Sequence, residues 1–371
     1  MLSRQVSTLR AMKLARSQEL PADPRRSRRK PRGLGVLAGA SRLRDPSTGE
    51  ERYSLDLLDL DASQPALERI PLDVFGHGLA VHPARPREAV LFEKQGRQGR
   101  QLDLVERRVV QPIAPLPGHL FYGHGAYSLD GEALFVVETC AESREGVVSI
   151  RDARSFAVLG AFPTYGAAPH DCRLIEGGRT LAITNGGGPI GSSSSPCVTF
   201  VDVMSHKLVE RHEVSGRDRN AGHLAVGRDR EFAVVSAPRE GLPAATSLGG
   251  VSLRARAQPC FPMTAPGVVV SRLVGEALSV TIHARSRTAV ATHPDADLVT
   301  FWNLDRGALA GSLELPGPRG VAITLDERFY VVSYGDDARL MLIETEGLRP
   351  LADHRLALEA LAGAHLYVLA L

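Results

Sequence analysis

Short apolar runs separated by polar turns recur along most of this 371-residue chain. They follow period-two or fully apolar patterning, and helical periodicity is nearly absent. One set is especially clear. Gly125-Ala126-Tyr127-Ser128 leads into the turn Asp130-Gly131, and apolar runs follow at residues 133–137, 147–150 and 157–160. A second copy runs through residues 321–324, a turn at Asp326-Glu327, then 329–332, 340–343 and 348–351. Four strand-length runs in about 40–50 residues is the period of a β-propeller blade. The best short helix candidate is residues 356–362.

Histidines mark the same repeat. They are His77 in Phe75-Gly76-His77-Gly78, His124 in Tyr122-Gly123-His124-Gly125, His170 in Pro169-His170-Asp171, His223 in Gly222-His223-Leu224, and His365 in Ala364-His365-Leu366. The intervals between the first four are 47, 46 and 53 residues. Two further units lack the histidine. One begins near Leu278; the other is Arg319-Gly320-Val321-Ala322-Ile323, 46 residues before His365. Seven units predict an all-β, seven-bladed propeller. The chain ends after one strand of the seventh unit, and strands at residues 34–38, 53–60 and 67–71 stand spare at the other end. The last blade is therefore expected to take its inner strand from the C-terminus and its outer strands from the N-terminus, which leaves no sheet edge open.

Charge divides the chain into a leader, 1–32, and a propeller, 33–371. The leader holds ten Lys/Arg against Glu19 and Asp23, while the remainder has 34 basic and 40 acidic residues. Such a basic stretch reads as a solvated, disordered leader or a targeting segment. The acidic body makes a poor phosphate-tracking surface, so no nucleic-acid partner is expected. No apolar run is long enough to span a membrane. The four cysteines form no Cys-x-x-Cys pair, and their spacing does not choose between thiols and disulfides. A monomer is expected, with a propeller face open to a protein partner.

Candidate chemistry follows from the ring. Inner strands line a propeller's central channel, so His77, His124, His170, His223 and His365 are expected to converge there, with Arg319 among them. Neutral imidazoles suit Cu, Fe or Zn over Ca or Mg. Protonated imidazoles with Arg319 would instead hold a small anion. Asp171 and Glu138 are candidates to offset the Arg319 charge, and Asn185 joins Glu138 in a second polar set at the end of the next strand. The alternative is that the histidines are blade pins satisfied by backbone groups, in a protein-interaction scaffold. The loop at residues 186–196, rich in glycine and serine, reads as flexible, a lid or a disordered insertion. No nucleophile elbow, phosphate loop or His-Glu-x-x-His is present, so no catalytic residue is assigned.

The stretches Gly123–Gly131, Tyr165–Asp171, Arg179–Gly187 and Gly222–Val226, with Gly76-His77-Gly78, resemble a bacterial propeller family, domain of unknown function 1513, among the YVTN-type and quinoprotein-amine-dehydrogenase-like propellers. The resemblance covers roughly residues 34–371. It implies a periplasmic protein, often exported by a twin-arginine signal and encoded beside imelysin-type iron-regulated proteins, hence an accessory of metal uptake. The leader here lacks the apolar stretch of such a signal, which leaves a cytoplasmic location as the alternative. The segment before His365 lacks the acidic-amide pair of the family. The resemblance transfers no catalytic residue. The sequence thus suggests a non-catalytic protein holding a metal ion or small anion, with a metal-dependent oxidoreductase as the alternative.

Overall fold

The computed structural model describes residues 33–45, 47–214, 216–256, 258–335, 339–351, 361 and 363–371. The leader and, apart from Leu361, the helix candidate at 356–362 lie outside them. The described residues form seven antiparallel sheets arranged as the blades of a propeller. Blade one is built from Gly78–Val81, Glu88–Phe92, Gly99–Asp103 and Arg108–Ile113, and blade two from His119–Tyr127, Ala133–Cys140, Glu145–Asp152 and Val158–Ala167. Blade three runs from Pro169–Ile175 to Lys207–Glu213, blade four from Leu224–Val226 to Phe261–Pro262, and blade five from Val280–His283 to Ala308–Glu314. Blade six shows Val321–Ile323, Phe329–Tyr334 and Arg339–Glu344. In the remaining sheet Tyr367–Leu369 pairs with Val36–Arg44, which pairs with Glu51–Asp59, and that strand with Leu67–Leu72.

Burial explains why the second strand of each blade reads as an unbroken apolar run. Phe232–Ser236 and Thr288–His293 are buried at every position, because a neighbouring blade covers each face. The outermost strand has only one covered face, and Ala308–Glu314 alternates accordingly. Seven apolar clusters lie between the sheets, one at each junction. Leu91 and Leu102 meet Leu55 and Leu369 across blades one and seven, and Leu58 meets Val331 across seven and six. The ring of packing is therefore continuous. Trp302, fully buried, anchors the junction of blades four and five. Each such side chain contributes about 1.5–3 kcal/mol by leaving water.

At three junctions a side chain at the inner strand also latches one blade to the next. Asp171 Oδ2 accepts from Leu224 N at 3.0 Å, Ser279 Oγ from Val321 N at 3.2 Å, and Tyr367 OH from Leu79 N at 3.0 Å. A histidine outside the five does act as a blade pin. His82 Nε2 meets Gly131 O of blade two at 3.0 Å, while its Nδ1 accepts from Ala84 N and Arg85 N.

The loop at 186–196, flexible by composition, is tied by hydrogen bonds to one side chain. Arg239 is almost fully buried behind it. Its Nη2 donates to Gly187 O, Pro189 O and Ser192 Oγ at 2.6, 2.8 and 2.6 Å, and its Nε to Gly188 O at 2.9 Å. A single guanidinium supplies the donors that the loop's carbonyls lack from any strand partner. The four cysteines are free thiols.

Candidate metal centre

Five imidazoles meet on the axis. His77, His124, His170, His223 and His365 are all buried. His77 Nε2 lies 3.3 Å from His170 Nε2, 3.1 Å from His223 Nε2 and 3.4 Å from His365 Nε2, and His170 Nε2 lies 2.7 Å from His223 Nε2. Ring centroids of His223 and His365 are 3.9 Å apart, and those of His124 and His365 are 4.8 Å apart. One ring nitrogen from each of His77, His124, His223 and His365 fits within a span of 4.8 Å. Four nitrogens at metal–nitrogen distances of about 2.0–2.1 Å span less than that, so the set would close in around one ion.

The histidines do not come from one equivalent position. His77 N donates to Phe92 O just as Gly222 N does to Val235 O, Leu278 N to Thr292 O and Arg319 N to Ser333 O. His77, Gly222, Leu278 and Arg319 therefore share a register, and His223 sits one residue later. Two offset registers let the rings interleave instead of colliding in one plane. Glycines make the room. A Cβ on Gly123, whose φ is +110°, would stand 2.4 Å from His77 Cδ2, and one on Gly78 would stand 2.1 Å from Gly123 O and 2.6 Å from His124 Nδ1. This accounts physically for the Gly-His-Gly motifs.

Hydrogen bonding at Nδ1 sets where the lone pairs point. His223 Nδ1 makes a short contact with Leu278 O. A carbonyl only accepts, so Nδ1 carries the proton and Nε2 presents its lone pair to the centre. His170 Nε2, 2.7 Å away, must then be the donor of that pair. His124 Nδ1 lies 3.3 Å from Asp171 Oδ1. Among the described residues neither Asp171 Oδ1 nor His124 Nε2 makes a hydrogen bond. The carboxylate favours a proton on Nδ1 and leaves the His124 Nε2 lone pair buried beside the other rings without a partner. Asp171 is wholly buried and also faces Arg173 at 3.2 Å.

Electrostatics keep the rings neutral. Burial holds all five imidazoles well below their ordinary 6.5. Lys94 and Arg173 push the same way, Lys94 on His77, His124, His170 and His223, and Arg173 on His124 and His365.

Glu138 and Asn185 stand elsewhere. Glu138 is fully buried within blade two, where Oε1 pairs with Arg151 Nη2 at 2.7 Å and accepts from Ser149 Oγ at 2.5 Å, and Oε2 accepts from Leu116 N at 2.7 Å. Asn185 donates to Thr199 Oγ1 at 3.1 Å inside blade three. Arg319 holds the register of His77, with its carbonyl accepting from Thr292 Oγ1 at 2.5 Å. The carboxylate at the histidines is Asp171. Sequence reading missed Leu278 O, because a backbone acceptor leaves no residue signature. It also missed Lys94 and Arg173, which carry no repeat signal.

Among solved structures the chain is similar to hydrazine synthase of Kuenenia stuttgartiensis, at 14% identity and a TM-score of 0.63 over 82% of this chain and 95% of that one. It is also similar to dihydro-heme d1 dehydrogenase NirN in complex with DHE, at 13% identity and a TM-score of 0.54 over 86% of this chain and 73% of that one. At these identities the likeness is one of fold alone. No match was found among curated proteins. The profile of the family described as "Protein of unknown function (DUF1513)" matches residues 70–360, most of the chain and four of the five axial histidines, and the protein belongs to that family.

Proposed function

We propose that this propeller holds one transition-metal ion, copper, iron or zinc, at its axial histidines and acts as a non-catalytic accessory of bacterial metal uptake in the periplasm. One observation carries the reading. The Nδ1 of His223 is taken by a carbonyl and that of His124 is faced by a carboxylate, so both Nε2 lone pairs turn to a shared centre, and that of His124 has no partner there. Such outer partners are the usual means of orienting metal-bound imidazoles. Blade pins, by contrast, satisfy both nitrogens, as His82 does. The neutral state of the rings favours a cation over an anion held by imidazolium groups. The donor set is nitrogen-only, which suits first-row transition ions over Ca or Mg. An ion taking the His223 Nε2 lone pair would replace the His170 N–H as that atom's partner, with the proton staying on His170.

A holding role is favoured over turnover because the cluster's carboxylate is wholly buried, with Oδ2 already engaged. Asp171 faces Arg173 and accepts from Leu224 N, which leaves it poorly placed to move protons for a substrate. Elemental analysis of protein purified without a His-tag tests the reading. One equivalent of metal is expected, lost in a His124→Ala, His223→Ala variant. Less than about a tenth of an equivalent, with none taken up on titration of Cu2+, Fe2+ or Zn2+, overturns it.

A further inference from the structure

Lys94 begins the short strand Lys94–Gly96, which lies along the end of the inner strand His119–Tyr127 with Lys94 opposite Tyr122. The Tyr122 ring stands edge-on to His170 at 5.7 Å, and its hydroxyl accepts from Gln95 Nε2 at 2.7 Å. Residues directly opposite each other on paired strands share a face of the sheet, so Lys94 stands on the side where Tyr122 meets the histidines. Its side chain is open to solvent, yet surrounding protein desolvates the ammonium enough to lower its pKa, partly offset by Glu276. That combination describes a cation at a solvent-open mouth, crowded by protein.

A charge imbalance follows. An ion bound by neutral imidazoles keeps its full charge. Asp171 is shared with Arg173 and the Leu224 amide, and Lys94 adds a second cation to the neighbourhood. A divalent ion in this setting is costly to bury without a compensating anion. We propose that the ion is held together with a small exogenous anion, a carboxylate or an inorganic monoanion, bound to the metal on the mouth side and steadied by Lys94. The step is a simple ligand addition, with no electron transferred. It rests on the metal-binding reading above.

The test uses Cu2+-loaded full-length protein titrated with azide, followed through the azide-to-copper charge-transfer band, with copper content measured in parallel. Azide should saturate the wild type and the Lys94→Arg variant with similar affinity. Lys94→Gln should bind it about tenfold more weakly, the order expected for losing one nearby charge, with copper content unchanged. Copper bound at one equivalent, but azide affinity equal within twofold in Lys94→Gln, overturns this inference and leaves the metal site standing. A wild type that takes up no copper overturns both.

Discussion

Replacing Asp171 with asparagine keeps the shape of the side chain and removes its charge. In the native protein Oδ2 accepts from Leu224 N at 3.0 Å and faces Arg173 at 3.2 Å, and Oδ1 lies 3.3 Å from His124 Nδ1. The amide oxygen can keep the Leu224 bond, so the latch between blades three and four survives. The amide nitrogen then faces His124. It can only donate, so His124 Nδ1 becomes the acceptor and Nε2 takes the proton. One lone pair aimed at the metal is lost. Loss of such an outer partner costs about 10–100-fold in affinity, or about 1.4–2.7 kcal/mol. Arg173 also loses its charged partner but keeps its bond to Leu224 O. Its side chain is 37% exposed, so water replaces much of that interaction, and the cost is about 1 kcal/mol or less. Urea unfolding of the metal-free proteins and metal competition against a chromophoric chelator separate the two effects. The expected result is a small loss of stability and a large loss of affinity. Unchanged affinity within twofold, beside the small loss of stability, would refute the reasoning and reduce Asp171 to a strut between blades.

Two other outcomes follow from the same structure. The five axial imidazoles titrate well below 6.5 in the folded protein, and His293, buried, is pushed down to about 3. The unfolded chain protonates each near 6.5, so stability is intact above that pH and is lost as pH falls below it, by up to about 1.4 kcal/mol per unit per histidine. Thermal melts of metal-free protein should be level from pH 8 to 7 and fall steeply from pH 6 to 5; a level profile down to pH 5 contradicts the burial argument. Arg239→Lys should release the loop at 187–195, because an ammonium cannot match the fork that reaches Gly187 O, Gly188 O, Pro189 O and Ser192 Oγ. Limited proteolysis should nick the variant there while the circular dichroism of the sheets is kept, and equal resistance would show that the loop orders itself.

The propeller was legible because blade packing writes itself into every unit. Second strands covered on both faces must be continuously apolar, as at residues 133–137 and 329–332, and outer strands must alternate. A further device repeats in blades with and without an axial histidine. The turn after the third strand places Asp or Asn first and a left-handed residue four positions on. Asp103 precedes Arg107, Asp152 precedes Phe156, Asp202 precedes His206 and Asn303 precedes Gly307, all with positive φ. In each turn the leading side chain accepts from backbone amides, for example Asp152 Oδ1 from Ser155 N at 2.8 Å and Asn303 Oδ1 from Arg306 N at 2.9 Å. The Asn303 turn marks blade five, where the histidine count fails.

The site was legible only in part, for a reason of register. Reading the histidines as equivalent residues brings five rings to the axis, but equivalence predicts one plane, and one plane cannot seat them. The offset between His77 and His223 depends on where each inner strand begins its pairing, and sequence does not state that. The same offset explains the fate of the acidic candidates. Asp171 follows His170 in the register of His223, so it reaches across to the Leu224 amide and to His124. Glu138 lies on a second strand, one layer out from the axis, where Arg151 and Ser149 on the third strand are its neighbours. A carboxylate's distance from the axis, more than its distance along the chain from a histidine, decides whether it tunes the centre or braces a blade.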